Sequence, residues 1–183
     1  MAVDLLREIE NNKFLLILME EKEYLSKLEE IIKSVEKTKT KICYVCMSKP
    51  YTDVKEDLRG NEIDTGNFFF IDVLTSHYKT PEPVENCIFI AEPTDLTAIR
   101  IAIRKAVEEK QCSVILLDTV STLLIYQENH SILKFTHHLL MEGKQENVKK
   151  LFIVLKGDTI SLEENQRLVK DLEMFADKTI DLG

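Results

Sequence analysis

Seven short apolar runs recur along the chain: residues 14–19 (FLLILM), 42–47 (ICYVCM), 68–74 (FFFIDVL), 87–91 (CIFIA), 114–120 (VILLDTV), 151–155 (LFIVL) and a brief 179–182 (TIDL). Most are continuous in apolar character rather than alternating, which suits strands covered on both faces of a parallel sheet. Between them apolar residues recur at helical spacing. Leu25, Leu28, Ile31, Ile32 and Val35 form one stripe, and Leu96, Ile99, Ile103 and Val107 another, with Arg100, Arg104 and Lys105 turned away. Thr94 or Asp95 is placed to cap the second of these helices. Ile132, Phe135, Leu139 and Leu140 mark a third helix. Leu168, Leu172 and Phe175 mark a fourth, behind a Ser161-x-x-Glu164 capping box. Two stretches holding prolines, 49–53 and 79–86, read as loops. No internal repeat or domain boundary is evident. The alternation predicts one α/β domain over residues 1–183: a doubly wound, mostly parallel sheet of about six to seven strands with helices on both faces.

In such sheets ligands bind beyond the carboxyl ends of the strands. Those ends supply the candidates: Glu20 and Glu21, then Ser48 and Lys49, then Asp72 followed by Ser76, His77 and Tyr78. Glu92 follows the fourth run, Asp118 and Thr119 the fifth, and Lys156 and Asp158 the sixth. A ligand-binding rim would draw on Asp118, Thr119, Ser48, Lys49, Asp72, His77 and Lys156. The competing expectation is that strand ends are polar simply because the chain leaves the core there.

Composition narrows the function classes. Apolar residues make up 44% and charged residues 31% of the 183, an ordinary globular mix. No apolar run reaches the roughly 18 residues of a membrane span, and the acidic N-terminus lacks a signal-peptide pattern, so the expected location is the cytosol. The formal charge of −8 argues against nucleic-acid binding. The only basic concentration, residues 33–41 (KSVEKTKTK), reads as a solvated linker. Abundant Lys and Glu are compatible with a heat-adapted source. Cys43 and Cys46 form a CxxC, but within a strand residues three apart point to opposite faces, so the two sulfurs cannot share a metal. These two, Cys87 and Cys112 read as reduced packing residues. His137 and His138 diverge on a helix by about 100°, and His130 has no acidic or thiol partner at ligand spacing. No metal or cofactor is expected.

The ordered segments KICYVCMSKPYTDVKEDLRGNEID, NFFFIDVLTSH, SVILLDTVSTLLIY and LFIVLKGD, within residues 41–182, resemble the RecA/KaiC-type ATPase superfamily, and KaiC most. The resemblance sets Asp118 on the magnesium-facing Asp of the Walker B strand, with Thr119 and Ser121 in its small-hydroxyl positions. It implies a RecA/KaiC-like fold and a tendency to self-associate in rings or dimers.

Two departures bear on the chemistry. A Walker A loop wraps phosphates with glycine backbone N–H groups and a Lys. Here no glycine precedes Gly60, and the first strand runs into Glu20-Glu21-Lys22-Glu23-Tyr24, whose three carboxylates would repel a triphosphate. Gly143-Lys144 ends a predicted helix rather than opening one. Ser48-Lys49 stands where KaiC-like enzymes carry an acidic pair that polarises the attacking water. The likeness is therefore to degenerate, P-loop-less, archaeal-type relatives. It implies a non-catalytic module, a pseudo-ATPase with a regulatory or protein-interaction role, whose expected partner is a protein or a second copy of itself. The alternatives are a nucleotide or small-ligand binder that uses the strand-end rim without a P-loop, and a receiver domain. A receiver would assign Glu20-Glu21, Asp72, Thr119 and Lys156 to phosphotransfer, at the cost of skipping the CIFIA strand.

Overall fold

The computed structural model describes residues 3–142, 147–157 and 162–183. Ser161 of the capping box, Asp158 and the Gly143-Lys144 pair lie outside the described residues. All seven apolar runs form strands: β1 (Phe14–Met19), β2 (Lys41–Cys46), β3 (Phe68–Asp72), β4 (Cys87–Phe89), β5 (Cys112–Asp118), β6 (Lys149–Leu155) and β7 (Lys178–Asp181). They make one sheet in the order β4-β3-β2-β5-β6-β1-β7, with every pairing parallel. Asp72 and Asp118 each end a strand, because the apolar residues after them, Val73 and Val120, already leave the ladder.

Alternation along the strands divides the interior in two. Leu15, Ile17, Tyr44, Phe70, Leu116 and Ile153 face one core, shared with α1 (Leu5–Asn11), α2 (Tyr24–Glu36) and α3 (Tyr51–Gly60). Leu16, Val45, Ile71, Leu117 and Val154 face the other. That second core is closed by α5 (Leu96–Glu108), α6 (Asn129–Glu142) and α7 (Leu162–Glu173), while the single-turn α4 (Thr75–Tyr78) follows β3. Along the central strands residues of both parities bury their side chains, each against one of the two helical layers, which is why the runs lack alternation. Cys43 and Cys46 fall in opposite cores, and the four cysteines are free and buried.

The sequence pattern misses α1, a two-turn helix that buries only Leu5 and Ile9 and is capped by Asp4 accepting from the Arg7 N–H at 3.2 Å. The stretch 49–53 is not all loop, since α3 begins at Tyr51, directly after Pro50. Nor is 33–41 all linker, because α2 runs to Glu36. The 87–91 run pairs only as far as Phe89.

The strand order excludes the receiver reading. In the receiver-type order 2-1-3-4-5 the first and third strands are neighbours. Here β6, β5 and β2 stand between β1 and β3. At about 4.8 Å per strand the ends carrying Glu20-Glu21 and Asp72 are about 19 Å apart, too far to share one phosphorylation site.

The order also locates the crevice. From β2 the chain leaves over the first core through α3 to β3, toward one edge. From β5 it leaves over the second core through α6 to β6, toward the other edge. Adjacent strands whose connections diverge open a gap at their carboxyl ends, the usual ligand position in doubly wound sheets.

Candidate functional site

That gap holds Asp118. Its backbone carbonyl accepts the N–H groups of Met47 (2.9 Å) and Ser48 (3.1 Å), tying the ends of β5 and β2 together. Because Asp118 has the same parity as Val114 and Leu116, its side chain turns to the first core, where it is 1% exposed. The Tyr24 hydroxyl, from the first residue of α2, lies 2.7 Å from each carboxylate oxygen. The Tyr44 hydroxyl, from the middle of β2, donates to Oδ2. Burial lifts the Asp118 pKa to about 6, against the opposing pull of the Tyr44 and Tyr24 hydroxyls and of the Lys49 charge. Burial, and then the neighbouring carboxylate, push both tyrosines well above their ordinary value, so they stay as donors.

Beneath Asp118, on the first-core side, a cavity of about 350 Å³ opens between α2 and α3. Leu28, Ile32, Val54, Leu58 and Ile63 wall it, Tyr44 and Asp118 reach into it, and Lys49, Asp57 and Glu29 also line it.

On the other side of the strand ends lies a cluster of hydroxyls. The Ser48, Thr119 and Thr122 oxygens are mutually 3.0–3.3 Å apart, and the Thr119 N–H donates to Ser48 Oγ at 3.0 Å. They edge a second cavity of about 280 Å³, bordered by Glu21, Gly157 and Asn165. The Asn165 Nδ2 donates to the Leu155 carbonyl at 2.5 Å. Its buried Oδ1 has no hydrogen-bond partner among the described residues.

The fold thus brings together Asp118, Thr119 and Ser48, with Lys49 at the cavity between α2 and α3. The remaining candidates are elsewhere. Asp72 is fully buried at the end of β3 and is saturated by the N–H groups of Tyr51, Leu74 and Thr75 and by the Thr75 hydroxyl, all at 2.6–2.8 Å. It anchors the starts of α3 and α4. His77 is half exposed and sits 3.6 Å from Glu92. Lys156, at the end of β6, pairs with Asp181 at 2.7 Å and Glu20 at 3.5 Å. Lys49 itself pairs with Asp57 at 2.7 Å.

Sequence reasoning passes over four residues of the site. Tyr24 figures there only as the end of the acidic stretch after the first strand, Tyr44 lies within an apolar strand run, and Thr122 and Asn165 have no motif. The one available signal was Tyr44, a phenol in a strand that must find a partner when buried.

The place where a phosphate loop would begin is acidic. After β1 a 3-10 turn, Glu21–Glu23, leads into α2, whose N-terminus has no side-chain cap. Carboxylates there complement the helix dipole themselves. Among the described residues no group of three or more His, Cys, Asp or Glu side chains is placed to hold a metal ion, and no helix is long and apolar enough to cross a membrane.

No protein-family model and no curated protein matches the chain. Among solved structures it is similar to a KaiC-like protein from the hyperthermophilic archaeon Pyrococcus horikoshii OT3, at 12% identity and a TM-score of 0.63. The match covers 92% of this chain and 71% of that one, so it reaches beyond residues 41–182. At that identity the likeness shows architecture alone: an α/β module with the KaiC-like, RecA-type fold.

Proposed function

We propose that this chain is a non-catalytic KaiC/RecA-like module that works by binding a protein partner rather than by hydrolysing nucleotide. The observation that carries this reading is the state of Asp118. A carboxylate that holds magnesium for phosphoryl transfer must reach the water and phosphate oxygens around the ion. Asp118 instead is 1% exposed, and both of its oxygens are engaged by tyrosine hydroxyls, one of them from the helix that would follow a phosphate loop. Glu20, Glu21 and Glu23 add negative charge where a triphosphate would sit. Exposed Met141, Met174 and Phe175 near the ends of α6 and α7 offer apolar surface of the adaptable kind that suits protein contacts.

The test is a thermal-shift series with ATP, ADP, GTP and cyclic nucleotides, with and without magnesium. A ligand at 100 times its dissociation constant adds about 2.7 kcal/mol, so binding would be plain. No shift is expected with any nucleotide. A magnesium-dependent shift that disappears in Asp118→Ala would overturn the reading.

A further inference from the structure

The cavity between α2 and α3 is apolar along its walls and charged at its inner end. Its walls are apolar: Leu28, Ile32, Val54, Leu58 and Ile63. Its inner end is the Asp118 carboxylate, flanked by the phenol rings of Tyr24 and Tyr44. At about 350 Å³ it lies in the range of small-molecule sites, which pair an apolar lining with a few converging polar groups.

The charges around it are unbalanced. Three carboxylates line the cavity, those of Glu29, Asp57 and Asp118, against one ammonium, that of Lys49. Lys49 is drawn to Asp57 at 2.7 Å, and Glu29 is paired with Lys33 at 2.5 Å. Asp118 alone has neutral hydrogen-bond partners. A carboxylate accepts at about four lone-pair positions, and the two phenols leave part of that capacity open. The Lys49 charge also acts on Asp118, but its ammonium is hydrogen-bonded to Asp57 instead, and Cys46, buried on the same strand as Tyr44, supplies no positive charge.

We propose that this cavity binds a small primary amine with an aryl or branched-alkyl body, its ammonium on Asp118 and its apolar body between α2 and α3. The ammonium gives the buried carboxylate a directly bonded cation, which Lys49, held on Asp57, does not, and the two phenol rings favour it further. Neutral and anionic molecules of the same shape gain only the apolar contacts. Tyr24, the first residue of α2, is half-buried and is the side chain that must yield for the ammonium to reach both oxygens. The site does not depend on the non-catalytic reading above. The nucleotide series tests that reading, and the amine series below tests only this cavity.

The experiment is a calorimetric and NMR titration at pH 7.5 with three isosteres: 2-phenylethylamine, 2-phenylethanol and 3-phenylpropionate. The amine should bind at least roughly tenfold more tightly than either of the others, with amide shifts concentrated in residues 24–36 and 51–63. Asp118→Asn should remove that preference. Leu28→Trp, which fills the cavity and leaves Asp118 intact, should weaken the amine by roughly tenfold or more. It also keeps the test decisive where Asp118→Asn does not fold. Equal binding of the three isosteres, an unchanged amine affinity in Leu28→Trp, or no amine binding at millimolar concentration would each overturn the proposal.

Discussion

Asp72 and Asp118 end β3 and β5, the two strands that flank β2, and both are buried, yet they are held by different chemistry. Asp72 collects three backbone N–H groups and one hydroxyl. Donors of that kind stabilise a carboxylate and are themselves left unsatisfied if it is removed. Each buried donor stranded in this way costs about 1–3 kcal/mol. Asp72→Ala should therefore lower unfolding stability by at least about 3 kcal/mol in urea melts, and a loss under about 1 kcal/mol would show that the network is dispensable. Asp118 has only phenols against it, and burial lifts its pKa from 3.8 to about 6. The folded chain therefore keeps this proton to a higher pH than the unfolded chain does. Its stabilising share is complete below pH 3.8 and is lost as pH rises to about 6 and beyond. The difference amounts to about 3 kcal/mol. Asp118→Asn carries no such titration, so the stability of the wild type relative to this variant should fall between pH 4 and 6.5. A gap independent of pH would contradict the assignment.

At the scale of elements, the helices with a long apolar stripe are the ones that periodicity finds. Helix α5 buries Ile99, Ala102, Ile103 and Ala106, and Asp95 caps it by accepting the Ala98 N–H at 2.8 Å. Asp95→Ala should cost about 1 kcal/mol. Ile103→Ala, in the core below, should cost about 2–5 kcal/mol. Chemical denaturation of the two variants checks the order, and a cap variant worse than the core variant would refute it. The elements that escape the periodicity are mostly short, the ten-residue α3, with three buried anchors, being the longest. Helix α1 has two buried anchors, α4 is a single turn, and the 3-10 segment Val120–Ile125 follows β5 after Thr119 alone. Over so few residues a helical period cannot be told from an apolar run. The last of these matters for the site, because that 3-10 turn brings Thr122 back onto Ser48 and Thr119.

At the scale of the molecule, the central strands β2, β5, β6 and β1 are paired on both sides, whereas β4 and β7 are edge strands of three and four residues. Native-state hydrogen exchange should place Tyr44, Leu116, Phe152 and Ile17 amides in the slowest class, opening only with global unfolding, and the amides of β7 in a faster one. Uniform protection across the seven strands would contradict this ordering.

The sequence by itself determined the alternation of strand and helix, the parallel sheet covered on both faces, the opposed sulfurs of Cys43 and Cys46, and the acidic turn where a phosphate loop would stand. Each of these depends on residues near one another along the chain. Only the tertiary structure decided the order of the strands, and with it the exclusion of the receiver scheme and the position of the crevice between β2 and β5. It also decided that Asp118 faces inward onto Tyr24 and Tyr44. Those contacts span 94 and 74 residues of chain. Strand register and crossover direction set them, and neither leaves a mark in local sequence.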